Sequence, residues 1–137
     1  MTWIESRIAD LNALQERNAV IRQHAVLIYD TLWAAVMEHI EEAKKRDFAL
    51  STNGALQKRI VKLAKQNLSG DHFEFELALV DSKTRIRAQG DRVNFMLDLD
   101  VCQDGVVCLK VDREPISVEQ AATRILDPFL FPQLQNR

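Results

Sequence analysis

The chain has 137 residues, a formal net charge of −2 and a pI near 5.9, a length that supports one domain around one core. At 47% hydrophobic and 28% charged residues it is not a disordered chain. Its near-neutral, slightly acidic charge gives no global reason to expect nucleic acid or an anionic membrane, and no apolar run is long enough to span a bilayer.

Residues 1–52 contain no glycine and no proline, and from Ile4 onward they carry an apolar heptad. Ile4, Leu11, Asn18, Ala25, Leu32 and His39 share one seam position, and Arg7, Leu14, Ile21, Ile28 and Ala35 the other. The pattern predicts a helix over 1–46, running from about Trp3 to Arg46. Such a helix would be about 66 Å long, against about 37 Å for the diameter of a compact chain of this size. It must therefore protrude, break or be covered by another chain. Up to Asn18 the stripe is narrow and suits a second helix. From Ala19 it is widened by Val26, Tyr29, Trp33, Val36 and Ile40, which suits a sheet. The second half is expected to dock on the chain's own domain and the first half to reach out as an assembly arm.

Over 55–66 the helix formers predict a second helix, with Leu56, Ile60 and Leu63 on one face. The competing signal is Asn53-Gly54, a hairpin dipeptide preceded by Phe48–Thr52. From Asp71 the period changes to two. Phe73, Phe75, Leu77 and Leu79 begin it, followed by Ile86 and Ala88, then Val93 to Val101 in alternation, then Val107, Leu109 and Val111. This predicts a four-stranded antiparallel β-meander with one dry and one wet face, turning near Ser82-Lys83, Gly90-Asp91 and Asp104-Gly105. The register expected from those turns sets Leu79 opposite Ile86, Ala88 opposite Val93, and Leu99 opposite Leu109. Pro115 is expected to end the sheet. Ser117-Val118-Glu119-Gln120 then reads as a capping box opening a short C-terminal helix that Asp127-Pro128 stops near Leu126. The apolar tail Phe129–Pro132 is expected to help cover the sheet. The fold class is α+β, a single domain over 1–137.

Chemistry-bearing motifs are missing: there is no glycine-rich phosphate loop, His-Glu-x-x-His, Cys-x-x-Cys or Gly-x-Ser-x-Gly. No catalytic residue, cofactor or metal site is therefore predicted, and an enzyme is the disfavoured reading. His39 and Glu42, three apart on a helix, are too few ligands for a metal. Glu74, Glu76, Asp98 and Asp100 share the wet face with Arg85 and Arg87, which predicts a cross-strand charge lattice. Cys102 and Cys108 flank a turn as diagonal neighbours and are expected to remain reduced thiols. Together with an N-terminus, Met1–Glu5, that lacks signal-peptide character, this makes the cytoplasm the expected compartment.

Two candidate surfaces remain. Ile4, Leu11, Leu14, Asn18 and Ile21 form a self-association seam in which a paired Asn18 would fix register, although Arg17 and Arg22 would face each other in a parallel coiled coil. Lys58, Arg59, Lys62 and Lys65, with no acid between 51 and 70, form a possible site for an acidic partner. The expectation is a small, non-catalytic cytosolic assembly or adaptor protein, a homodimer through its N-terminal helix that also binds a protein partner. The alternatives are a chaperone-like module holding an apolar segment of another protein, and a binder of nucleic acid or an acidic partner through 58–65. Nucleic acid is the less expected ligand, and no membrane association is expected.

Overall fold

The computed structural model describes residues 2–55, 58–65 and 71–135. A 43-residue helix α1 (Trp3–Lys45) leads into strands β1 (Leu50–Ala55), β2 (Lys58–Ala64), β3 (His72–Val80), β4 (Arg85–Gly90), β5 (Val93–Val101), β6 (Val107–Val111) and β7 (Glu114–Ile116). Helix α2 (Val118–Leu130) and a 3-10 turn (Pro132–Leu134) complete the chain. The strands form one antiparallel sheet in sequential order. The fold is α+β with a long N-terminal helix, as the sequence predicts, but the sheet has seven strands and not four.

The extra strands come from three places. The predicted helix over 55–66 is instead β2, paired to β3 with Val61 opposite Phe75 and to β1 with Thr52 opposite Val61. Arg59, Val61 and Leu63 fall opposite Leu77, Phe75 and Phe73 on the helix-facing side. Backbone pairing on both edges outweighs the modest helix preference of lysine, arginine and leucine. The hairpin that Asn53-Gly54 suggested forms, but with those residues inside β1 opposite Ile60 and Arg59 and not at its turn; Gly54 has a φ of 115°, where a Cβ would lie 2.3 Å from the Lys58 carbonyl oxygen. Leu56 and the Ser69-Gly70 pair lie outside the described residues. At the far edge, Pro115 does not end the sheet but sits in β7 opposite Lys110, an edge position where a missing N–H is tolerated.

Leu79 pairs with Ile86 and Leu99 with Leu109, as expected. Ala88, however, lies opposite Phe95, because Gly90 pairs with Val93 and the turn is Asp91-Arg92. The slip is two residues, so every side chain keeps its face. Gly90 is required where it is, since a Cβ there would lie 2.4 Å from the Glu74 carbonyl oxygen and 2.5 Å from Phe75 Cα. Gly90→Ala should therefore destabilise the fold by about 2 to 3 kcal/mol; urea denaturation with an unchanged midpoint would contradict this.

One face of the sheet is covered by α1 and α2. Ile21, Ala25, Tyr29, Leu32, Val36, Ile40 and Ala43, each three or four residues after the last along α1, are buried against Phe75, Leu77, Ile86, Leu97 and Leu99 and against Ala122, Ile125 and Phe129 of α2. The Ser117 capping box forms, with Ser117 Oγ accepting from the Gln120 amide at 3.0 Å and the Gln120 side chain accepting from the Ser117 amide at 3.1 Å. The helix does not stop before Pro128 but runs on to Leu130, because Phe129 and Leu130 are buried and their burial offsets the hydrogen bond that Pro128 removes. The element after it is the 3-10 turn and not a helix.

Tyr29, the chain's only tyrosine, is 1% exposed and donates to the Leu77 carbonyl at 2.6 Å. Burial pushes its pKa up to about 12, opposed by the adjacent Arg59 and reinforced by Asp30 and Glu76. A pKa raised in the folded state gives stability that is fully present below the unfolded value of about 10 and is lost as pH rises through 12. Tyrosinate absorbance should therefore appear near pH 12 in the native protein and near pH 10 in denaturant. A native titration near pH 10 would contradict the buried hydrogen bond.

Candidate functional site

The apolar stripe of α1 does not end where the sheet ends. Ile21 is the first buried residue of the helix, yet Ile4, Ile8, Leu11 and Leu14 continue the same face toward the N-terminus and are 51–53% exposed. Trp3, at the margin of that face, is 76% exposed. Asn18, half-buried, is the last seam residue before the sheet begins. The helix is secured beyond this exposed stretch at both ends. Thr2 caps it, accepting from the Glu5 amide at 3.2 Å, and from Ile21 on one face of the helix is held against the core. The arm is thus a preformed helical rod of about 27 Å carrying unpartnered large side chains. Burying what each leaves exposed is worth about 1 kcal/mol.

The arm carries Glu5, Arg7, Asp10, Glu16 and Arg17. Arg7 lies 3.7 Å from Asp10 on the same helix. Arg17 reaches back to the Asp100 carboxylate, which also accepts from Lys110 at 3.0 Å. Where the arm leaves the sheet, an open cleft of about 520 Å³ has Leu14, Ile21 and Leu99 on its apolar side and the charged Arg85, Asp98, Asp100, Lys110 and Arg113 on the other.

The basic segment is not brought together. Because 58–64 is a strand, its side chains alternate between faces. Lys58 and Lys62 are on the wet face, with Lys58 3.5 Å from Glu76 and Lys62 in register opposite Glu74. Arg59 points the other way, under α1. It stacks on the rings of Tyr29 and Trp33 at 4.9 and 5.4 Å and donates to Asp30 at 2.7 Å. Lys65 lies over the Phe73 ring, 4.6 Å from its centroid. Two pairs of the expected lattice form on the wet face, Arg85–Asp98 at 2.8 Å and Arg87–Glu76 at 3.3 Å, whereas Asp100 takes Lys110 at 3.0 Å and Glu74 meets His72 at 3.2 Å.

His39 does not join Glu42; it meets Glu119 of α2 at 2.5 Å, linking the two helices. Among the described residues no group of three or more His, Cys, Asp or Glu side chains is placed to hold a metal ion, and no helix is long and apolar enough to cross a membrane. Cys102 and Cys108 are joined in a disulfide with Cα atoms 6.2 Å apart, and not left as thiols. Their diagonal offset across the β5–β6 hairpin, with Cys102 bonded to Val106 and Cys108 opposite Asp100, is within reach of a bridge. Cysteine usage therefore gives no support to a reducing compartment. The Phe-Leu-Phe tail divides: Phe129 and Leu130 are core, while Phe131 is 41% exposed and packs edge-on against Phe48 at 5.6 Å. With Leu126, these rings line an open groove of about 460 Å³ between α1 and α2. The sequence reading missed this groove, because its two walls lie far apart along the chain.

No family model, curated protein or solved structure matches the chain.

Proposed function

We propose that this is a non-catalytic assembly or adaptor protein that self-associates through the first half of α1 and presents its body to a protein partner. The observation that carries the reading is the exposed row Ile4, Ile8, Leu11 and Leu14 on a helix already held rigid by its second half. Isolated monomers seldom expose so continuous an apolar row. A helix this short would associate weakly if it had to fold at the same time, but here the ordering cost is met by the core. Light scattering on the full chain across a concentration series should show a molar mass rising by mass action toward twice 15.7 kDa. A constant 15.7 kDa would overturn the reading.

The groove between α1 and α2 favours a second reading, a chaperone-like module whose Phe48, Leu126, Leu130 and Phe131 take an apolar segment of another protein. An apolar fluorescent dye should then bind the native chain and be displaced by an apolar peptide. The dispersal of Lys58, Arg59, Lys62 and Lys65 over two faces weighs against the acidic-partner reading.

A further inference from the structure

Resting on that reading of the arm, we infer that the partner is a second copy laid antiparallel, in a two-fold register centred between Leu11 and Leu14. Three observations converge on it. The first is steric. From Ile21 on, the sheet and α2 fill the space over the stripe. A parallel partner continuing along the same face would run into that space, whereas an antiparallel partner overlaps only the open arm.

The second is the layering. An antiparallel seam pairs one seam position with the other. In the register centred between Leu11 and Leu14, Leu11 meets Leu14 of the second copy, Ile4 comes level with Ile21, and Arg7 lies beside the side-chain oxygen of Asn18. Parallel pairing would instead stack Arg7 on Arg7. Ile4 and Trp3 of each copy then arrive at the mouth of that mixed cleft, beside its apolar side of Leu14, Ile21 and Leu99. The overlap, roughly two and a half heptads, ends where the first buried residue of α1 begins.

The third is charge. In this register Asp10 of one copy flanks Arg17 of the other, twice by symmetry. Parallel pairing sets Arg17 against Arg22, also twice. Asp10 is 66% and Arg17 50% exposed, so both can reach across. Asp100 keeps Lys110 when Arg17 is shared.

The test uses the full chain in three forms, the original, Asp10→Arg and Arg17→Glu, with dimer dissociation constants from sedimentation and thermal melts to confirm folding. Each variant alone puts two like-charge pairs across the seam and should weaken its own dimer about tenfold or more. An equimolar mixture of the two variants restores both attractive pairs and should dimerise about as well as the original. If the original is a monomer, both this inference and the assembly reading fall. If the original dimerises but Arg17→Glu tightens it and Asp10→Arg leaves it unchanged, the register is parallel and only this inference falls. An original dimer with unaltered variants places the contact off the arm and also overturns it.

Discussion

Phe129→Ala should destabilise the folded chain by about 3 to 5 kcal/mol, the usual cost of emptying a fully buried phenylalanine site. Phe129 has no exposed surface and its ring meets Phe75 edge-on at 4.8 Å, so the substitution removes an aromatic contact and leaves a cavity between α2 and the sheet. The site cannot collapse easily, because α2 is tied at its start by the Ser117 capping box and near its end by Arg92, which donates to the Phe129 carbonyl at 3.2 Å. Phe129 also gives α2 a reason to run through Pro128. Its removal should fray the last turn, Asp127 to Leu130, as well as lower the urea midpoint. A loss under about 1 kcal/mol would mean that the tail is not core.

Leu11→Glu combined with Leu14→Glu should do the reverse: abolish association and leave the fold intact. Both side chains are about half exposed on the free arm, so monomer stability should move by no more than about 0.5 kcal/mol. In the antiparallel register each new carboxylate faces another across the seam. Lost apolar burial and carboxylate repulsion together should weaken the dimer at least about a hundredfold. Equal molar mass for the variant and the original chain would remove the arm from the account.

Period-two alternation exposed strands β3 to β6 because their pattern is a local consequence of one dry and one wet face. The capping box at Ser117 was legible for the same reason: it is satisfied within four residues. What stayed hidden depended on distant partners. β2 looks helical until β1 and β3 flank it, and the three residues of β7 are too few for a period. Arg59 reads as a surface cation, although the rings of Tyr29 and Trp33, a helix away, draw it to the covered face. Pro128 reads as a stop because the burial of Phe129 and Leu130 lies outside the local pattern. The exposed row Ile4, Leu11 and Leu14 follows the heptad, and Tyr29, Val36 and Ile40 of the widened stripe are buried, but Val26 of that same widening is 43% exposed. The dispersal of the basic segment followed directly from the misread strand.

Backbone hydrogen exchange on the full chain, compared between dilute and concentrated samples, reports where association through the arm occurs as well as whether it does. The arm has few tertiary contacts, so its amides should exchange fastest of the helical residues when the protein is dilute. Raising the concentration should slow exchange across residues 4–20 and leave the sheet and α2 unchanged. Arm exchange independent of concentration, or new protection on the sheet's wet face with none on the arm, would contradict association through the arm.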